Sequence, residues 1–119
     1  MQLGRRSGRR WGVKISIFIF DGHDIRIALN DQGEPLFCLA DVCGVLEIRN
    51  ANPSRFNLIT DGVHVLPSIT NGGMQDLNFI TEENLHRILL RSRKPKSRSF
   101  QDWAAKEALP AIRKIEGAA

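Results

Sequence analysis

Between Val13 and Leu29 the apolar residues recur at every second position: Val13, Ile15, Ile17 and Ile19, then Ile25, Ile27 and Leu29, with Asp21-Gly22 between the two runs. A period of two gathers side chains on one face of an extended chain, whereas one face of a helix needs a period near 3.6. Asp-Gly tolerates the positive φ angles of a tight two-residue turn. The segment therefore reads as two strands joined in a hairpin.

The same logic organises the rest. Asn30 to Pro35 supplies a turn, Leu36 to Leu39 an extended run, and Ala40 to Ile48 a short helix with Val42, Val45 and Leu46 on one side. Arg49 to Asp61 has no clean period and reads as a loop or an irregular short helix. From Gly62 alternation returns at Val63, Val65 and Ile69, turns at Asn71-Gly72-Gly73 and comes back through Leu77 and Phe79 as a second hairpin. Thr81, followed by Glu82 and Glu83, predicts an N-cap, with Leu85, Ile88 and Leu89 as the buried stripe and Arg87 and Arg91 near the C-terminus. Ser99-x-x-Asp102 predicts the start of a last helix with Phe100, Trp103, Ala104, Ala108, Ile112 and Ile115 on its apolar side, and Trp103 as a buried core residue. Pro110 should kink or divide that helix.

Strands first and helices late, joined by hairpins, predict an α+β fold: two antiparallel β-hairpins packed with three principal helices. A length of 119 residues suits one small domain. Residues 1–12 read as a basic flexible arm, 13–116 as the folded domain and 117–119 as a tail. No apolar run approaches the roughly 18 residues of a membrane span, and none has the form of a signal-peptide core. Cys38 and Cys43 are too few for a disulfide framework and read as reduced packing thiols, which favours a cytoplasmic setting.

Catalytic and metal chemistry find no foothold. His23, His64, His86 and the two cysteines lack paired ligand spacing, no nucleophile sits in a recognisable setting, and Gly72-Gly73 opens no phosphate loop. Asp41, alone at a helix start, reads as a cap or a buried structural acceptor. The protein is expected to be no enzyme and to need no cofactor.

Charge is more informative. The net +4 divides into +5 over residues 1–14, −7 over 15–86 and +6 over 87–119. Such segregation can orient a molecule on a polyanion. Its focus is Arg91-Ser92-Arg93-Lys94-Pro95-Lys96-Ser97-Arg98-Ser99, where Arg91, Arg93, Lys94, Lys96 and Arg98 can neutralise phosphates and the interleaved hydroxyls can add donors. A solvated linker is the plain alternative. The second hairpin is a further candidate, because Asn71 and Gln75 at its tip could pair with base edges in a groove.

Taken together, Leu36-Phe37-x-x-x-Asp41-Val42, Gly72-Gly73-x-Gln75, Ile80-x-Glu82-x-x-Leu85 and Ser92-Arg93-Lys94-Pro95, leading through Phe100-x-x-Trp103 to Glu107-Ala108-Leu109-Pro110-x-Ile112-Arg113-Lys114, resemble the BRO N-terminal domain of prophage antirepressors and of repeated reading frames in baculoviruses and other large DNA viruses. The resemblance runs from about Ile17 to Lys114. It implies a small α+β DNA-binding module, commonly the first part of a longer protein, with no cofactor and no catalytic residues. The second domain usual in that family, and any antirepressor activity that depends on it, is not expected within these 119 residues, and the arginine-rich arm lies outside the family's pattern.

The expectation is a DNA-binding module of a phage-type regulator, with Arg91, Arg93, Lys94, Lys96, Arg98, Asn71, Gln75, Arg113 and Lys114 as its nucleic-acid contacts. Double-stranded DNA is the first partner and single-stranded DNA the second; no membrane partner is expected, and self-association stays open. The competing expectation is a protein-binding antirepressor that sequesters a phage repressor without touching DNA, with the acidic middle as a docking face or DNA mimic.

Overall fold

A computed structural model describes residues 14–49 and 51–118. The basic arm expected over residues 1–12, and Val13 as the first residue of the alternation, lie outside them.

Both hairpins form. Strands β1 (Lys14–Phe20) and β2 (His23–Leu29) pair antiparallel from Phe20↔His23 to Lys14↔Leu29, and Asp21 and Gly22 take the turn at φ 51° and 80°. Two successive positive φ values match the right-handed twist of the strands they join. β3 (Pro35–Cys38) follows, and β4 (Val63–Thr70) and β5 (Gly73–Thr81) make the second hairpin. All five strands form one antiparallel sheet in the order β1-β2-β3-β5-β4.

Helix α1 (Leu39–Val45) is shorter than the sequence predicts. Glu47 turns left-handed at φ 59°, its N–H bonds the Gly44 carbonyl, and the Ile48 N–H bonds that of Cys43, which is a Schellman ending built without glycine. Short 3-10 turns at Pro53–Phe56 and Thr60–Gly62 carry the irregular stretch. Helix α2 (Glu82–Arg91) starts as predicted, with Thr81 Oγ1 accepting from the Asn84 N–H.

The last helix corrects one expectation and refines another. α3 (Pro95–Trp103) starts four residues before Ser99, which lies within the helix and does not cap it. Proline suits a first helical position because its fixed φ is helical and that position's N–H has no helical partner to lose. Lys94 is extended (φ −75°, ψ 139°), as a residue before proline prefers. Pro110 should kink or divide the helix, and the division lies just before it: a π turn at Ala104–Ala108 separates α3 from α4 (Leu109–Ala118), in which Pro110 is the second residue. Pro110 has no N–H to bond the Lys106 carbonyl, and Lys106 lies within the wider turn. The helical run continues past residue 116, the end expected for the domain.

The helices cover one face of the sheet, where Ile25, Ile27, Phe37 and Ile80 meet Val42, Leu46, Leu85, Ile88, Phe100 and Ile112. Phe37, Phe79 and Phe100 are wholly buried, each contributing about 1.5–3 kcal/mol. On the opposite face Ala28, Leu36, Cys38 and Phe79 form a second cluster, against which Ile15 of β1 and Leu66 of β4 both pack. Those two residues come from opposite edges of the sheet and extend this second cluster across its width. Cys38 and Cys43 are buried thiols outside any disulfide, one in each cluster, and burial with the Asp41 carboxylate nearby pushes the Cys38 thiol up. Trp103, expected in the core, is half-buried at its edge, with ring centroids 5.2 Å from Phe20 and 5.4 Å from Phe100.

Candidate nucleic-acid interface

The basic cluster spans a three-residue connection and the start of a helix. The Ser92 N–H closes α2 onto the Ile88 carbonyl, Ser92 Oγ accepts from the Lys94 N–H, and Pro95 begins α3. The serines thus contribute less to a phosphate site than the sequence suggests. Ser92 Oγ is occupied by the backbone, Ser97 Oγ is buried with no hydrogen-bond partner among the described residues, and Ser99 is exposed.

The five cations differ in their freedom. Lys96 Nζ lies 2.8 Å from Asp21 Oδ2 in the first hairpin turn, a contact that holds the Asp21 carboxyl below its usual range and raises the Lys96 ammonium. Lys94 Nζ is a looser 3.7 Å from Glu47 Oε1, and Arg91 Nη1 donates to the Phe56 carbonyl at 3.4 Å. Arg93 and Arg98 are exposed, and among the described residues no carboxylate pairs with either. Arg113 and Lys114 are exposed on α4. Fifteen residues separate Arg113 from Arg98, roughly 22 Å of helix, so the run does not bring these two ends together.

Arg91, Arg93 and Lys94 form one wall of a groove of about 480 Å³, and Ile48, Phe56 and Ile88 supply its apolar lining. Sequence reasoning found the cations but missed the groove, since Ile48 and Phe56 arrive from segments more than thirty residues away.

The second hairpin is a firm ribbon. Thr70 Oγ1 accepts from the Gly72 N–H and donates to the Gly73 carbonyl, and Gly73 sits at φ 99°, which side chains rarely adopt. Asn71 and Gln75 are exposed at its tip. Pairing of Leu36 with Thr81 and of Cys38 with Phe79 directs the Asn71-Gly72 turn toward the end of the sheet that also carries Asp21-Gly22. The Lys96–Asp21 pair brings the start of α3 to that same end.

What holds the ribbon was only half visible in the sequence. Arg26 on β2 donates from Nε and Nη2 to the two Asp41 oxygens at 2.9 and 2.8 Å, and its backbone N–H adds a third bond to Oδ2 at 2.9 Å. Nη1 reaches the Ile69 carbonyl of β4 at 3.1 Å, with Ser68 Oγ at 3.5 Å. Asp41 is thus a structural acceptor, and the bonds to it raise the Arg26 guanidinium further above its ordinary value. A lone arginine within an apolar strand was the available signal for this node.

Among the described residues, no cluster of His, Cys, Asp or Glu could hold a metal ion, and no helix is long and apolar enough to cross a membrane.

Residues 24–110 match the family model described as BRO family, N-terminal domain. An uncharacterized protein of Haemophilus influenzae is 35% identical over 103 residues, which are 86% of this chain and 51% of that protein. The chain spans about half the length of that relative. No solved structure matches the chain. The matched segment includes the basic cluster, the groove and the second hairpin but neither Arg113 nor Lys114.

Proposed function

Because the chain belongs to the BRO family, whose N-terminal domain it carries, we propose that it is a DNA-binding module of a phage-type transcriptional regulator. One observation carries this reading: Arg93 and Arg98 are exposed with no carboxylate paired to either among the described residues, and Lys96 between them in sequence reaches Asp21 at the end of the sheet toward which the Asn71-Gly72 turn also points. Arg93, Arg98 and Lys94 contact phosphates of a duplex, and Asn71 and Gln75 on the ribbon contact base edges. Lys96 joins only by leaving Asp21.

The test is a gel-shift titration over a range of salt. Neutralising both arginines (Arg93→Ala with Arg98→Ala) is expected to weaken binding to all sequences and to lower the salt slope by about 1.8, at roughly 0.9 per phosphate contact. An unchanged slope removes the cluster from the interface. Asn71→Ala with Gln75→Ala is expected to reduce discrimination between sequences while leaving the slope in place.

A protein partner such as a phage repressor has one observation in its favour. Ile69 and Met74 face each other across the ribbon at 73% and 66% exposure, and Val65 on the same face is exposed as well. An apolar ribbon face of this kind suits a protein better than a phosphate backbone.

A further inference from the structure

The groove between the α2–α3 connection and the segment after α1 joins two chemistries that a paired duplex does not use together. Its lining at Ile48, Phe56 and Ile88 is apolar, and Arg91, Arg93 and Lys94 stand beside it. A volume of about 480 Å³ falls within the roughly 300–1,000 Å³ of sites that take small ligands. We infer that this groove takes a single unpaired nucleobase, with the adjoining phosphate held by Arg93 and Lys94. The inference rests on the DNA-binding reading and adds to it a place for one base outside the stack.

Three considerations lead there. The faces of a paired base are covered by its neighbours, so only an unpaired base can offer a flat apolar surface to this lining, in which Ile48 is half-buried and Phe56 and Ile88 form the buried floor. The charge beside the lining is cationic, and a nucleotide carries its anionic phosphate one sugar away from its flat apolar part. An extended peptide fits less well, because its own N–H groups need acceptors. Two acceptors at the groove, the Phe56 carbonyl and Ser92 Oγ, are already engaged by Arg91 and by the Lys94 N–H. Lys94 must give up only the 3.7 Å contact with Glu47, an exposed pair of little strength.

The experiment compares three labelled duplexes by fluorescence anisotropy: fully paired, with one bulged thymidine, and with an abasic residue at the bulge. The bulged thymidine is expected to bind about tenfold or more tightly than the abasic bulge, the scale of one stacked base. Ile48→Trp, which fills the groove, is expected to abolish that difference, and Arg93→Ala to weaken both bulged duplexes. Circular dichroism checks the folding of each variant. Should Ile48→Trp fail to fold, the comparison of thymidine with abasic bulge on the unaltered protein decides alone.

Equal affinity for the two bulges, with the paired duplex still bound, overturns the base site and leaves the DNA-binding reading standing. Binding of none of the three overturns both. If an acidic peptide carrying leucine displaces the bulged duplex from the unaltered protein but not from Ile48→Trp, and thymidine has no advantage over the abasic bulge, the groove takes a protein segment and the inference fails.

Discussion

Removing the Asp41 carboxylate tests the node that ties the second hairpin to the rest of the sheet. Asp41→Ala deletes three hydrogen bonds at 2.8 to 2.9 Å and leaves the Arg26 guanidinium with only Ser68 Oγ and the Ile69 carbonyl. Breaking one partner of a buried ion pair costs about 3–5 kcal/mol. Here the two side chains keep 19% and 11% exposure, so water recovers part of the loss and the lower end, about 3 kcal/mol, applies. For a domain of this length that corresponds to a fall in Tm of about 12 °C, at roughly 4 °C per kcal/mol. Urea denaturation of Asp41→Ala, Arg26→Met and the double variant closes a double-mutant cycle. The double variant is expected to lose about 2 kcal/mol less than the sum of the singles, because each single strands a charge that the double removes. Amide exchange at Ile69 and Thr70 should accelerate in all three. Additive losses, or a cost below about 1 kcal/mol for Asp41→Ala, would show that the pair is solvated and that the ribbon is held by packing alone.

Asn84 is wholly buried and bonds both the N–H and the carbonyl of Ile59 at 2.9 Å, so Asn84→Ala should cost about 2–3 kcal/mol in denaturant titrations by stranding both groups. Gly62→Ala presses on the same contact, since its Cβ would lie 2.6 Å from both Asn84 Nδ2 and Thr81 Oγ1, and about 1–3 kcal/mol of destabilisation is expected. Glu47→Gly relieves a left-handed non-glycine residue and should raise stability by about 1 kcal/mol, while also freeing Lys94 for phosphate. Asp21→Asn should tighten DNA binding and steepen the salt slope by about 0.9 as Lys96 is released. In the unaltered protein the Asp21 carboxyl is held low, so its tether to Lys96 is complete above the ordinary carboxylate range and is lost as pH falls through the depressed value. Circular dichroism and anisotropy titrations against pH should therefore show extra acid-side tightening that Asp21→Asn lacks.

Local chemistry was the legible part of this fold. Alternation, Asp21-Gly22, the glycines at 72 and 73, and Thr81 before two glutamates each act within a few residues, and each produced the predicted element. The errors came where two local signals competed. Ser99-x-x-Asp102 has the form of a cap, but Pro95 can open a helix four residues earlier, and burial of Phe100 against Phe20 and Trp103 rewards the longer helix. Pro110 marks a division of the run, but sequence does not reveal that the division is a π turn upstream of it. Alternation also marks a strand without showing which face turns inward. Phe18 and Phe20 pack beside the core, while Ile17 and Ile19 on the other face of β1 stay 63% and 68% exposed. The groove was beyond reach because it joins segments distant in sequence, and of the Arg26–Asp41 node only the two ends were legible, an aspartate read as a structural acceptor and a lone arginine in an apolar strand.

Charge shows the same division between chain and space. The sequence separates an acidic middle from a basic end, but folding brings carboxylates of that middle to the cluster: Asp21 to Lys96 and Glu47 to Lys94. Both lysines are therefore engaged before any polyanion arrives, and a phosphate must replace an existing partner to gain either one. Arg93 and Arg98 meet no such competitor among the described residues. Lysine and arginine, equivalent in a net charge of +4, thus divide into a pair that already faces carboxylates, Lys96 closely and Lys94 loosely, and a pair that faces none among the described residues. The free pair carries the planar, always-charged donor fork best matched to phosphate. Replacing Arg93 or Arg98 should accordingly reduce affinity more than replacing Lys94 or Lys96, because each lysine can hold a phosphate only by giving up the carboxylate it already faces, and that exchange offsets what it contributes.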